Sequence, residues 1–423
     1  MDRISVRSLV PGQMLNQPLY DHRRTLLLAE HNTLTEDMLA SLLRSGLEYA
    51  YLGSWNSSEV CAMENGSALV EQRGLAETRG PMLADQLERC LVSTHMTVKP
   101  CGEPLCDSID FSFRPDRHAM DFRYIDASRH EAACFIDNLL TGRILNSRIT
   151  DRAAEAVDHL LQAYCKDPSL VCNFIQLRND YPYLYNHGIN TASLAMAMAT
   201  ALGYSRSQVA EVGMAGLVQD MAMSFLPIAV ADAPRSLSSA EREDMEKHVV
   251  HVLYLLERMP RLPQSVRVAC YQVHERSDGS GYPMKRPHSQ IHDFAKIVAI
   301  ADIYDALTAR RPWREAYTPY RALEHIIWEA NKGRLDRDVV RALLKCLSLF
   351  PVGSYVRLTT GETARVVHTN GDSFDRPFVS VVLDAQRNPV ATPRHINLAE
   401  ETRLRIAAPC EDTFSELPAA AGF

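Results

Sequence analysis

The chain has no run of 18 or more apolar residues, so it offers no candidate transmembrane helix. It also lacks any close Cys-x-x-Cys pair. Its ten cysteines are scattered, with Cys101 and Cys106 the nearest neighbours, and no second pair completes a zinc-binding set. Reduced thiols in a cytosol are the simplest reading, and a cytoplasmic location is expected. Basic charge is not in excess: 45 Lys and Arg stand against 52 Asp and Glu, a net charge of −7. Neither nucleic acid nor an anionic membrane is favoured as a partner, although a local basic pocket for one small anion stays open. The opening residues, MDRISVRSLVPGQ, contain no continuous apolar core of the kind a signal peptide needs. No internal repeat is found. What is present, 46% hydrophobic and 23% charged residues over 423 positions, is the composition of a folded globular chain. The length suits roughly two to four domains.

Patterning divides the chain. Residues 1–54 read as a small α+β module: short strands in ISVRSLVPGQMLNQPLY and RTLLLAE, a helix over TLTEDMLASLLRSG capped by Thr35 and ended by Gly46, and a closing strand in LEYAYLG. Residues 55–126 are turn-rich and read as a linker with one amphipathic helix near 81–93. Helical periodicity dominates 127–348, beginning at Ala132, Ala133, Phe135, Ile136, Leu139 and Leu140, with a next helix capped by Thr150 or Asp151. Residues 351–407 alternate apolar and polar side chains between turns at Thr360-Gly361 and Asn370-Gly371, the pattern of a small β module. A tail at 408–423 is expected to fray. The fold class expected is mainly α.

Within the helical region several groups are able to bind a cation. His187 lies near a helix start, Gln219 and Asp220 near the end of an apolar helix, His248 and His251 one turn apart, His274 at a helix end, and Asp302 and Asp305 in a further apolar run. An Asp inside AGLVQD or IVAIAD is costly if buried and unpaired. Imidazoles and carboxylates converging from separate helices suit a first-row divalent metal, and a carboxylate can bridge two. Taken singly each has an ordinary alternative. Asp302 is able to bond a neighbouring helix, Asp305 to cap or pair with an Arg, and His251 to point to solvent. The loop after His274, HERSDGSGYP, is a sharp turn either beside a pocket or merely between elements.

The order of His, x-Asp, His, then HERSDGSGYP and AIADIYDALTARRPWR, resembles the HD-GYP family of metal-dependent phosphohydrolases over roughly 180–348. The resemblance implies an all-helical HD-type domain and hydrolysis of cyclic di-GMP to pGpG or GMP. It implies metal ligands at His187, Asp220, His248, His274 and Asp302, with Asp220 also catalytic. The cofactor implied is a divalent metal, Fe or Mn, as one or two ions or none. Gly281, Tyr282 and Pro283 would line the substrate groove or meet a protein partner such as a diguanylate cyclase, and Arg311 and Arg314 would contact phosphate. The ligand implied is cyclic di-GMP or a related dinucleotide. The first module and the C-terminal β module are similar to modules that accompany HD-GYP domains.

The sequence departs from the family pattern at several places. The His-Asp pair reads Gln219-Asp220, the following Gly and Lys read Ala222 and Met223, and the first of two adjacent histidines reads Val273. Tyr183 stands where members with three metals carry a Glu. Gln is a weaker ligand than imidazole, and Met has neither charge nor proton to offer a phosphoryl oxygen. The expectation is a domain with impaired or absent phosphodiesterase activity, acting by nucleotide binding or through its GYP loop. The alternative is an active metal-dependent cyclic di-GMP phosphodiesterase. A third class is an HD-type hydrolase of another nucleotide.

Overall fold

The computed structural model describes residues 2–6, 9–10, 13, 19–20, 26–28, 34, 39, 49–52, 66–91, 96–109, 111, 123–141, 148–168, 182–226, 230, 233, 235–309, 314–350, 352–370 and 373–410. The chain divides into two compact units, Met1–Gly66 and Ser67–Phe423. In the first, strands β1 (Asp2–Ser5), β2 (Leu19–Tyr20), β3 (Leu26–Leu28) and β4 (Tyr49–Leu52) form an antiparallel sheet in the order β1-β4-β2-β3. Val6, Leu9, Leu19, Leu34 and Ala50 make its core. The expected helix with its Thr35 cap and Gly46 stop lies outside the described residues, Leu39 excepted.

The second unit is mainly helical. Helix α1 (Gly66–Leu91) is much longer than the helix expected near 81–93. It is not a free linker. Ala84, Leu87 and Leu91 are buried with Leu253, Val268 and Tyr271, and Gly80 lies so close to the Val250 carbonyl that a Cβ there would sit 2.9 Å from its oxygen. Composition hid this because the helix buries only a narrow stripe.

Helices α2 (Arg123–Thr141), α3 (Ile149–Lys166), α4 (Tyr183–Ala201) and α5 (Arg206–Val218) build the first half of the core. The α3 cap expected at Thr150 or Asp151 is instead Arg148, and the Thr150 hydroxyl donates to the Pro260 carbonyl at 2.6 Å. Helices α4 and α5 meet backbone to backbone. A Cβ on Gly188 would lie 2.8 Å from the Leu217 carbonyl oxygen, and one on Gly216 2.8 Å from Ala192 Cα. That close approach brings His187 on α4 beside Asp220, two residues past the end of α5.

The second half comprises α6 (Ser239–Glu246), α7 (His248–Glu257), α8 (Gln264–Gln272), α9 (Asp293–Thr308), α10 (Pro319–Asn331) and α11 (Arg337–Leu347). Local chemistry starts several of them. Ser238 and Glu241 form a capping box at α6, Thr318 precedes Pro319 at α10, and Asp336 accepts from the Asp338 and Val339 amides at α11. His292 caps α9 by accepting from the Phe294 amide at 3.2 Å, a role open only to a neutral ring, and burial pushes its pKa down to about 4. Among the described residues no helix is long and apolar enough to cross a membrane.

Strands β5 (Tyr355–Leu358), β6 (Thr363–His368), β7 (Phe378–Leu383), β8 (Pro389–Asn397) and β9 (Ile406–Cys410) form an antiparallel sheet in the order β8-β7-β6-β5-β9. Its last strand corrects the module boundary expected at 407. Ala408, Pro409 and Cys410 pair with Arg357, Val356 and Tyr355, so the β module runs through Cys410. The Thr360-Gly361 turn joins β5 to β6, while Gly371 lies outside the described residues.

Candidate metal centre

Five elements deliver side chains to one buried place. His187 comes from the second turn of α4, Asp220 from the turn after α5, His248 from the first residue of α7, His274 from just beyond α8, and Asp302 from α9. The His187 Nε2 lies 2.8 Å from Asp302 Oδ1 and 3.2 Å from Asp220 Oδ2. Its Nδ1 lies 2.7 Å from Asp305 Oδ2. On the other side of Asp220, the Nε2 atoms of His248 and His274 face each other at 3.0 Å, and Asp220 Oδ1 lies 3.3 and 3.8 Å from them. The His248 ring is turned that way by its Nδ1, which is 2.7 Å from the Met245 carbonyl.

Two donor groups therefore share one carboxylate: His187, Asp220 and Asp302 form one, and Asp220, His248 and His274 the other. The Asp220 Oδ1 is buried and makes no hydrogen bond, although His248 stands at ion-pair distance; the Oε1 of Gln219, the neighbouring residue in the chain, is also buried without a partner. An unpartnered buried carboxylate oxygen facing inward-turned imidazole nitrogens fits a bound cation.

The electrostatics follow from crowding. Burial disfavours the charged His187 ring, yet Tyr183 and the carboxylates of Asp220, Asp302 and Asp305 hold it well above its usual range. Burial would raise the Asp220 carboxyl, but the close imidazoles of His187, His248 and His274 hold it well below the ordinary value. Asp302 is lowered too, against burial, by the hydrogen bond and charge of His187. His274 is depressed by burial, with the charge of His248 adding to the effect.

The loop after His274 is wound around Glu275. This carboxylate is 4% exposed and accepts from the Met284 and Arg286 amides at 2.8 Å each. The chain closes on itself at Gly281, where a Cβ would overlap the Arg276 amide nitrogen and the His274 carbonyl oxygen. Tyr282 is thereby turned inward. Its ring stacks on His274 at 4.9 Å and meets His248 edge-on at 6.2 Å. Tyr282 and Pro283 are half-buried, whereas Met284 is 52% exposed. Arg286 ties the loop to α1 through an ion pair with Glu88. Glu275→Ala leaves two partly buried amides without acceptors and is expected to cost about 2–4 kcal/mol. Glu275→Gln, able to accept only one of them well, is expected to lie between. Denaturant melts compare the three proteins, and equal midpoints would remove Glu275 as the organiser of the loop.

Residues 172–339 match the HD domain, and residues 355–414 match the KOW domain associated with HD domains. A cyclic di-GMP phosphodiesterase of Pseudomonas aeruginosa is 30% identical over 247 residues, 58% of this chain and 59% of that protein. The response regulator RpfG of Xanthomonas campestris, also a cyclic di-GMP phosphodiesterase, is 36% identical over 154 residues, 36% of this chain and 40% of that one. The HD domain of this chain is of the HD-GYP type. A 3′3′-cGAMP-specific phosphodiesterase of Vibrio cholerae is 28% identical over 179 residues, 42% of this chain and 40% of its own length. The chain thus spans about two fifths to three fifths of these relatives. An HDG"Y"P protein of Bdellovibrio bacteriovorus superposes over 81% of this chain and 97% of its own, with 14% identity and a TM-score of 0.47.

The departures from the HD-GYP pattern take up definite places. Gln219 is fully buried, and its Nε2 approaches Asp302 Oδ1 at 3.4 Å, so the amide stands against the donor group of His187. Met223 is half-buried in the single 3₁₀ turn that follows Asp220. Val273 is fully buried in the main apolar core. Tyr183 lies flat on the His187 ring at 5.2 Å. His251 does not point to solvent: it is buried, and burial lowers its pKa. Arg314 donates to the carbonyls of Ala306, Leu307 and Glu315, closing the end of α9, while Arg311 lies outside the described residues.

Sequence reasoning left two residues out of the site that the structure brings to it, Asn190 and Arg129; Asp305, named there as able to bind a cation but not among the implied ligands, is the partner of His187. A signal existed. Arg129 occupies the same face of α2 as Ile125, Ala132, Ala133 and Ile136, and an Arg on an apolar helix face calls for a buried partner.

Proposed function

We propose that this HD-GYP chain acts in cyclic dinucleotide signalling, holding divalent metal, Mn or Fe, at its shared-carboxylate centre and binding a cyclic dinucleotide there with impaired hydrolysis. The observation that carries this reading is the pair of donor groups joined by Asp220, whose buried Oδ1 has no hydrogen-bond partner. His187 Nε2, Asp220 Oδ2 and Asp302 Oδ1 would hold one ion, and His248, His274 and Asp220 Oδ1 a second. An ion held there supplies Lewis acidity, lowering the pKa of water and drawing charge from a phosphoryl oxygen. The chain's own residues orient the rings, and Tyr282 walls the pocket and keeps water from His274. What is missing is a cation where Met223 stands, which would act most on the transition state, and an imidazole where Gln219 stands, which would act by strengthening metal binding. Cyclic di-GMP and 3′3′-cGAMP, named in the relatives' activities, are the first ligands to try.

The test uses full-length protein purified without oxygen and reconstituted separately with Mn²⁺ and Fe²⁺. Metal stoichiometry, calorimetric binding of both dinucleotides, and product chromatography are measured together. Bound metal, bound dinucleotide and slow turnover are expected. Protein that takes up neither metal nor dinucleotide would overturn the reading.

A pH dependence follows from His187. Its raised pKa means that the metal-free ring carries a proton to well above pH 6.5, and both of its nitrogens then donate to carboxylates. Metal must displace the Nε2 proton. Metal affinity is therefore expected to fall as pH drops from 8 to 6, with a proton released at His187 on binding. Calorimetry in buffers of different ionisation enthalpy reads that proton, and a buffer-independent heat would count against it.

A further inference from the structure

We infer that Arg129, on a helix that precedes the HD domain, is a positioning residue for this centre: through Asn190 and Asp305 it fixes the His187 ring with Nε2 turned toward Asp220 and Asp302. The inference rests on the metal-centre reading above and extends it beyond the residues 172–339 that match the HD domain.

The chain of hydrogen bonds has only one consistent direction. Arg129 lies on α2, is 4% exposed, and can only donate. One of its terminal nitrogens reaches Asn190 Oδ1 at 2.9 Å and the other reaches Asn186 Oδ1 at 3.0 Å. Because the guanidinium takes the amide oxygen of Asn190, the amide nitrogen must face the other way. It donates to Asp305 Oδ1 at 2.8 Å. The second oxygen of Asp305 then stands 2.7 Å from His187 Nδ1, and a carboxylate there can only accept. Nδ1 is thus the nitrogen that keeps its hydrogen, and Nε2 is the one left for the donor group with Asp220 and Asp302. A reversed Asn190 would set its amide nitrogen against a guanidinium and its oxygen against a carboxylate, so the amide orientation is determined at both ends.

Burial makes the arrangement stiff. Asn186, Asn190 and Asp305 are all buried, and losing one member leaves the next without its partner in a place water does not reach. Three carboxylates surround one imidazole at this point, and the guanidinium adds positive charge to a cluster that is otherwise negative. Partners behind a metal-binding histidine commonly change metal affinity about 10- to 100-fold when removed. In α2 that function is carried by a segment outside the domain that supplies the histidine.

The experiment compares wild-type full-length protein with Arg129→Met, Arg129→Lys and Asn190→Leu. The last of these keeps volume and leaves the guanidinium in place, so it guards against a failure to fold in Arg129→Met. Circular dichroism verifies folding. Two quantities are then read: Mn²⁺ affinity by competition with a chelator, and the solvent exchange of the His187 Nδ1–H in ¹⁵N-histidine-labelled metal-free protein, assigned by its loss in His187→Gln. Expected are a slowly exchanging Nδ1–H in wild type, fast exchange and roughly 10- to 100-fold weaker Mn²⁺ binding in Arg129→Met and Asn190→Leu, and partial recovery in Arg129→Lys. Folded variants with unchanged exchange and unchanged affinity would overturn the relay. If wild-type protein binds no Mn²⁺, the metal-centre reading falls by itself, and the exchange measurement still decides whether Arg129 positions the ring.

Discussion

Asp220→Ala is expected to strip the centre of metal and to abolish whatever turnover the wild-type protein shows. Asp220 is the one residue common to both donor groups, with Oδ2 serving His187 and Asp302 and Oδ1 facing His248 and His274. Removing any other member leaves one group intact, whereas removing Asp220 breaks both. The loss should therefore exceed the roughly 10- to 100-fold typical of partners behind a ligand. The variant also leaves the buried rings of His248 and His274 facing each other with no carboxylate between them, 3.0 Å apart at Nε2. Asp220→Asn separates shape from charge: it keeps one oxygen in place, retains the volume, and is expected to hold at most one ion weakly. Metal analysis of the three proteins, followed by hydrolysis of cyclic di-GMP, checks the order. Wild-type metal content in Asp220→Ala would show that the ions sit elsewhere, and the shared-carboxylate reading would fail with it.

How far the site was legible depended on the kind of signal. Helix positions followed from apolar periodicity, because the core helices bury a regular face, as α11 does with Val339, Val340, Leu343, Leu344 and Leu347. Asp220 and Asp302 stood out as carboxylates in apolar runs, and motif order joined them to the histidines. The relay behind His187 was not legible, because its members lie 61, 115 and 118 positions apart and no spacing rule links α2 to α4 or α4 to α9. Glu275 was quoted inside the motif, yet its role as the post around which the loop winds depends on two amides that any residue types would supply. The long α1 was underread for a physical reason as well: Gly80 and Pro81 are poor helix formers, and contact with α7 and α8 outweighs that local preference. The last strand was cut short at 407 since Ala408 and Pro409 carry no alternating pattern, and pairing with β5 decided the matter.

The double substitution Gln219→His/Met223→Lys is expected to raise cyclic di-GMP hydrolysis by about 10²- to 10³-fold, the range associated with a single charge-stabilising group in a preorganised site. Each change restores a different element. At Gln219 the amide is fully buried against Asp302, and its Oε1 makes no hydrogen bond. An imidazole there replaces a neutral oxygen with a stronger ligand for a first-row metal. Its signal should appear in metal affinity even without substrate. Met223 sits in the turn directly after Asp220, half-buried, so a lysine there can bury its stem and keep its ammonium exposed close to the centre. Its signal should appear in kcat with little change in metal content. Val273→His belongs to a different class. Val273 is fully buried in the apolar core, and an imidazole placed there leaves ring nitrogens without partners, so this variant is expected to lose stability and to gain no activity. The two single variants, Gln219→His and Met223→Lys, separate two causes that would weaken such a centre. A rate gain confined to Met223→Lys would locate the defect in transition-state charge, and a gain confined to Gln219→His would locate it in metal occupancy. A double variant that binds metal fully and still leaves cyclic di-GMP intact would mean that hydrolysis of this dinucleotide is not the chemistry the site has lost, and would turn attention to the binding role alone.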